Sequence, residues 1–79
     1  MNSLSPICLF VYNRYDVLTK SINALKKNDL ASKSDLYIFS DGPKDYSDSI
    51  KVNKVREYID IVRGFKSVSI KKSDINIGL

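Results

Sequence analysis

The sequence predicts an α/β fold in which strands and helices alternate as β-α-β-α-β around a parallel sheet. Two apolar runs, at residues 7–12 and 36–39, are rich in β-forming residues and have the continuous apolar character of buried parallel strands. A shorter segment of alternating character at residues 68–70 supplies the third strand. Successive strand–helix–strand units imply right-handed crossovers, and because parallel sheets are covered on both faces, we expect a three-layer arrangement.

The first helix is expected over residues 14–27, between the first two strands. Leu18, Ile22 and Leu25 recur at i, i+4 and i+7 and form one apolar stripe. Asn13 directly precedes this segment and can cap its amino end, since asparagine is a preferred capping residue.

The second helix is predicted by an apolar repeat with i, i+3, i+7 and i+10 spacing. The repeat consists of Val52, Val55, Ile59 and Val62. Ser47 or Asp48 can cap this helix, and Gly64 is suited to the left-handed position that follows a helix end.

Length, charge and cysteine content limit the function classes. The 79 residues allow one small domain, and a formal charge of +4 without long basic blocks gives little support to a nucleic-acid partner. The single cysteine, Cys8, lies in the first apolar run and is expected to be a small buried residue. No apolar run approaches the ~20 residues of a membrane span, so the sequence predicts a cytoplasmic chain or one facing the cytosol at the inner side of the membrane.

Polar residues follow each of the first two predicted strands. Tyr12, Asn13 and Arg14 come after the first strand, and Asp41 and Gly42 come after the second. Ligands of open parallel sheets bind beyond the carboxyl ends of the strands, so the two clusters are expected to flank one crevice.

The residue types of these clusters suit a nucleotide. The Asp41 carboxylate can accept hydrogen bonds from a base or a ribose, and the Tyr12 ring can stack on a base. Arg14 can pair with a phosphate, while Gly42 allows a close approach of backbone or ligand. Each residue also has an ordinary structural explanation: a cap for Asn13, a turn for Asp41 and Gly42, and closure of the core for Tyr12.

Several catalytic signatures are absent from the sequence. No glycine-rich loop follows the first strand, which argues against a Walker loop and a dinucleotide-binding fingerprint. The chain contains no histidine, so a serine–histidine triad is excluded.

Three motifs together resemble glycosyltransferase family 2 and its relatives with the GT-A fold. They are Pro6-Ile7 leading to Tyr12-Asn13-Arg14, then Ser40-Asp41-Gly42-Pro43-Lys44, and finally Asn76-x-Gly78-Leu79. The resemblance covers essentially the whole chain in order, and it implies a partial GT-A fold of the three-layer, Rossmann-like type. Ser40 departs from the aspartate that is usual at the first position of the second motif.

The resemblance implies roles for individual positions. Asp41 matches an aspartate that contacts the nucleotide base, and Tyr12 with its neighbours matches the loop beside the base and ribose. Asn76 and Gly78 match the start of a segment near the diphosphate. Residues 1–79 would then be the amino-terminal, nucleotide-binding part of a domain that continues in a longer parent protein.

The parent implied by this resemblance is an enzyme that transfers a sugar from a nucleotide-sugar donor to a glycan, lipid or polysaccharide acceptor, and a UDP-linked donor is expected. Its divalent metal, Mn²⁺ or Mg²⁺, would be held by ligands outside this chain, so the 79 residues alone are expected to be inactive and to contain no catalytic residue. Peripheral association of the parent with the membrane is also expected.

Two other readings of the residues stay open. One is a non-enzymatic, doubly wound α/β module of receiver-like type that acts through protein contacts, although its first strand ends in Tyr-Asn-Arg rather than in acidic residues. The other is a basic nucleic-acid-binding domain. In either case the outer strands of a three-stranded sheet expose backbone groups, which predicts self-association through the sheet edges.

Overall fold

A computed structural model describes residues 6–78, which form three strands and two α-helices. In chain order the elements are β1 (Ile7–Val11), α1 (Tyr15–Lys26), a 3-10 turn (Ala31–Lys33), β2 (Asp35–Ser40), α2 (Tyr46–Ile59) and β3 (Ser67–Lys72). The α/β class and the predicted β-α-β-α-β order are confirmed.

The three strands form one parallel sheet in the order β1-β2-β3. Phe10 of β1 lies opposite Phe39 of β2, which in turn lies opposite Lys71 of β3. Because all three strands run in the same direction, their carboxyl ends meet at one edge of the sheet.

The hydrophobic core lies between the sheet and both helices. Leu36 and Ile38 of the central strand are fully buried, and they belong to one cluster with Ile22 of α1 and Ile59 of α2. Two right-handed crossovers that step in the same direction along a sheet place both connecting helices on the same face. The strand order therefore explains why α1 and α2 share a single core.

The opposite face of the sheet, here called the open face, is not covered by either helix. It consists of Cys8, Phe10, Tyr37, Phe39, Ser69 and Lys71, the residues that alternate with the core-facing positions of the strands. Phe10 is 62% exposed and its ring stacks on that of Phe39, with 5.3 Å between the ring centroids. Residues 6–78 thus form two layers, and the second helical layer of the three-layer expectation is not among them.

Cys8 is exposed, so its predicted burial is wrong. The sequence places Cys8 in an apolar run, but the alternation of β1 turns its side chain toward the open face. Its burial depended on a covered second face, which the described residues do not supply.

The amino ends of both helices differ from the predictions. Arg14 occupies the cap position of α1 without a side-chain hydrogen bond, and the predicted cap Asn13 instead donates from Nδ2 to Asp48 Oδ1 at 2.8 Å. In α2 the cap is Asp45, whose Oδ1 accepts from the backbone N–H of Asp48 at 2.8 Å. The predicted capping by Ser47 or Asp48 is therefore wrong by two or three positions, because a nearer carboxylate satisfies the free N–H groups.

The second helix also ends earlier than its apolar repeat indicates. α2 stops at Ile59, although Val62 still packs into the core. Gly64 has a left-handed φ of 101°, but it lies beyond the residues that directly follow the helix and shapes the turn into β3. Neither helix of residues 6–78 combines the length and the apolar character that crossing a membrane requires.

The core position of Ile59 gives a direct test of this packing. Ile59 is 1% exposed and Ile61 is 67% exposed, so the same truncation should have unequal effects. We expect Ile59→Ala to lower the free energy of unfolding by about 2–5 kcal/mol because it leaves a cavity. Ile61→Ala should change it by less than about 0.5 kcal/mol. Urea unfolding followed by circular dichroism measures both, and equal effects would contradict this packing.

Candidate functional site

A pocket of about 230 Å³ lies at the carboxyl ends of β1 and β2, and we call it the edge pocket. Its lining includes Tyr12 after β1, Asp41 after β2, and Asn76 and Gly78 from the following segment. Phe10, Val11 and Lys44 complete the lining. Four residues singled out from the sequence thus meet in one place, as expected for segments that follow parallel strands.

The Asp41 carboxylate holds the C-terminal segment, residues 75–78, against the end of β2. Asp41 is 3% exposed, and its Oδ1 accepts from the backbone N–H groups of Gly42 at 2.8 Å and Ile77 at 2.9 Å. Its Oδ2 accepts from the Gly78 N–H at 3.1 Å and from Asn76 Nδ2 at 3.3 Å. A buried polar group is tolerated when it is hydrogen-bonded, and these bonds meet that condition for Asp41.

A glycine is required at position 42 because the backbone of the C-terminal segment passes close to it. A Cβ atom at this position would lie 2.5 Å from both the carbonyl carbon and the carbonyl oxygen of Ile75. The Gly42 N–H donates to that same Ile75 oxygen at 3.2 Å. The close approach expected at Gly42 is thus made by the chain itself, and the approach of a ligand stays a prediction.

Arg56 is a central residue of the site that the sequence reasoning missed. From α2, its Nη2 donates to the Ser73 carbonyl at 2.6 Å and to the Asp41 carbonyl at 3.2 Å, and its Nε donates to Ser40 Oγ at 3.0 Å. One guanidinium therefore ties the ends of β2 and β3 together. The sequence did contain a signal for this role: Arg56 lies four residues after Val52 and three before Ile59, which places a charged residue on the apolar face of the helix.

A second pocket of about 380 Å³, the helix-start pocket, adjoins the edge pocket through Tyr12 and Lys44. Asp48 organises it by accepting from the Tyr12 hydroxyl, from Asn13 Nδ2 and from the Lys44 N–H. These bonds join the end of β1 to the first turn of α2.

The Tyr12–Asp48 hydrogen bond shifts the pKa values of both groups in opposite directions. It raises the pKa of Tyr12 from 10.0 to about 12, with partial burial and the Asp48 charge adding to the effect. The same bond, followed by those from Lys44 and Asn13, lowers the pKa of Asp48 below 3.8. The contribution of the pair to stability is therefore complete between about pH 4 and pH 10. It is lost as the pH falls through the folded pKa of Asp48 or rises through that of Tyr12.

Arg14 is not brought to either pocket. Its guanidinium faces Asp16 at 3.6 Å, with 68% and 70% of the two side chains exposed, and such an exposed pair contributes little to stability. Arg14 instead lines a groove between β1 and α1. Of the predicted site residues, Asn13 lies in the helix-start pocket. Leu79, the last residue of the motif that begins at Asn76, lies outside the described residues.

Comparison of the chain with protein-family models, curated proteins and solved structures gives no match. Within residues 6–78 no group of three or more histidine, cysteine or acidic side chains is placed to hold a metal ion. The expected location of the metal outside this chain stays a prediction.

Removing the Asp41 carboxylate should release the C-terminal segment. We expect Asp41→Ala to accelerate amide hydrogen exchange at Ile77 and Gly78 by roughly tenfold or more, because hydrogen bonds to charged acceptors are worth about 1.5–3 kcal/mol. Asn76→Ala is the matched control, since it leaves both backbone bonds to Asp41 in place. The Ile38 amide in β2 reports global unfolding, and unchanged exchange at Ile77 and Gly78 would contradict the proposed anchoring.

The titration of Tyr12 should depend on Asp48. In Asp48→Asn we expect the pKa of Tyr12 to fall from about 12 toward 10.0, because the charged acceptor is gone. Ring-labelled tyrosine followed by NMR measures this value, and Tyr12→Phe assigns the signal. Asp45→Asn removes a weaker influence on the same phenol and should lower the pKa less. A larger effect of Asp45→Asn would show that the hydrogen bond is not the main cause.

Proposed function

We propose that this chain binds the nucleotide part of a sugar-nucleotide donor, with a UDP-linked sugar as the first candidate, and belongs to a glycosyltransferase. The observation that carries the proposal is the convergence of Tyr12, Asp41, Asn76 and Gly78 on the edge pocket. These residues come from three separate segments. The resemblance to GT-A enzymes implies a base contact for Asp41, a place beside the base and ribose for Tyr12, and a place near the diphosphate for Asn76 and Gly78.

The size and lining of the edge pocket support a base with its ribose. At about 230 Å³ the pocket is smaller than the ~300–1,000 Å³ typical of sites for drug-sized ligands, which suits one part of a sugar nucleotide. Phe10 and Tyr12 provide aromatic surface, and stacking on such rings is worth about 1–3 kcal/mol per base. The hydrogen bond from Tyr12 to Asp48 fixes the ring in advance, which reduces the entropy lost on binding.

Lys44 is suited to the diphosphate. It lines both pockets, so a phosphate chain that leaves the edge pocket toward the helix-start pocket passes its ammonium group. Lys51 lines the helix-start pocket as well, where the two lysines offset the carboxylates of Asp45 and Asp48. In this proposal Asp41 acts as a positioning residue, because its carboxylate accepts from three donors of the C-terminal segment and from the Gly42 N–H.

The transfer step itself is assigned to residues of a longer parent protein. A divalent metal would there neutralise the leaving diphosphate, which is the main electrostatic task of such a transfer. The role of residues 6–78 is to bind and orient the nucleotide.

A second candidate function is a binding module without a sugar nucleotide, and one observation favours it. The hydrogen bonds of Asp41 and the glycine at position 42 are both explained by the C-terminal segment without any ligand. The exposed aromatic residues of the open face would then be a protein contact surface.

Calorimetric titration with UDP in the presence of Mn²⁺ distinguishes the two functions. We expect saturable binding by the full chain, weakened roughly tenfold by Lys44→Ala because a charged hydrogen bond to phosphate is lost. Lys20→Ala removes the same charge from the exposed surface of α1 and should leave the affinity unchanged. Absence of heat with UDP would overturn the proposal and favour the module, and equal losses in both variants would show a non-specific charge effect.

A further inference from the structure

The first strand leaves one side of its backbone unpaired within residues 6–78. In the order β1-β2-β3, β1 pairs with β2 on one side only, and β3 is the other edge strand. An edge strand presents a row of N–H and C=O groups that can pair with another strand.

The two edges differ in the features that protect a strand from pairing. β3 carries Lys71 and Lys72 in its sequence SVSIKK, and lysines on an edge strand discourage pairing. β1 reads ICLFV and contains no charge, glycine or proline. Two copies of this chain would therefore meet repulsion at β3 but none at β1.

The sequence of β1 is complementary to itself in the antiparallel direction. When two copies are centred on Leu9, Leu9 faces its own counterpart and Ile7 faces Val11, so the core-facing side pairs aliphatic with aliphatic residues. On the open face, Cys8 lies opposite Phe10 of the other copy. A slip by one residue would move Leu9 opposite a residue of the other face, which disfavours such a slip.

A shallow groove beside β1 offers further apolar area. The groove has a volume of about 210 Å³, and its lining includes Leu9, Val11, Val17 and Leu18. Val17 of α1 is 47% exposed at this edge. Aliphatic side chains from the core-facing side of a second β1 would lie over this groove.

We propose that β1 is a homodimer interface, in which it pairs antiparallel with β1 of a second copy to form one continuous sheet. The interface is isologous, since the same strand is used on both sides of a two-fold axis. It joins two three-stranded sheets into one of ordinary size and removes the unprotected edge. The pairing uses the backbone of β1, which is an edge strand among residues 6–78, and it shares Phe10 and Val11 with the edge pocket.

Charge placed on one edge or the other tests this interface. Sedimentation velocity of the full chain under reducing conditions, over a range of concentrations, should show a monomer–dimer equilibrium. Cys8→Lys adds a lysine on the open face of β1 without touching the core, and we expect it to raise the dimer dissociation constant on the order of tenfold. Ser69→Lys is the matched control, because Cys8 and Ser69 both lie opposite Tyr37, on the same face of the sheet but on different edge strands.

The outcomes separate the alternatives. Loss of dimer in Cys8→Lys alone supports β1 pairing. A monomer at all concentrations overturns the proposal, and loss in Ser69→Lys alone assigns the contact to β3 instead. An equal loss of dimer in both variants indicates association through the open face and also overturns the proposal.

A crosslink tests the register. Centred on Leu9, the two Cys8 residues are diagonal neighbours about 7–8 Å apart, beyond the usual Cα separation of a disulfide of about 4.4–6.8 Å. Leu9→Cys combined with Cys8→Ser should therefore give an oxidised dimer in higher yield than the unaltered chain. A higher yield from Cys8 would overturn the register centred on Leu9.

Discussion

The buried carboxylate of Asp41 is the constraint on which the rest of the site depends. A carboxyl group with 3% exposure is tolerated only when hydrogen-bond donors surround it, and the C-terminal segment supplies three of them. The same hydrogen bonds hold Asn76 and Gly78 in the lining of the edge pocket. The glycine at position 42 and the guanidinium of Arg56 serve the same geometry, since one lets the segment approach and the other fixes the strand ends.

How much of this could be predicted from the sequence depends on the range of the interactions involved. The strands and the α/β class follow from local apolar patterns, and convergence at the carboxyl edge follows from parallel strands alone. The partners of Asp41 in the C-terminal segment lie 35 to 37 positions away and leave no local pattern. The choice of Asp45 as the cap of α2 was likewise decided by contacts, because Asp48 accepts hydrogen bonds from Tyr12 and Asn13 in the segment that follows β1.

The wrong prediction that Cys8 is buried has a different physical origin. A continuous apolar run indicates a strand whose two sides both avoid water, but it does not say what covers each side. Coverage follows from strand order, because the order β1-β2-β3 with right-handed crossovers directs both helices to one face. Hydrophobic periodicity carries no information about strand order, so the exposure of Cys8 and Phe10 could be read only from the assembled sheet.

The same strand order connects the two proposed interactions of the molecule. It brings the carboxyl ends of β1 and β2 side by side, which forms the edge pocket, and it leaves β1 as an uncharged edge. Phe10 takes part in both proposed interactions, since it lines the edge pocket and its backbone lies in the edge strand β1. A second copy that pairs with β1 would place Cys8 beside Phe10 and restrict its ring, so dimer formation would order one wall of the pocket before a base enters it. Coupling of this kind requires no conformational change, because ordering by one partner lowers the entropy cost of the other.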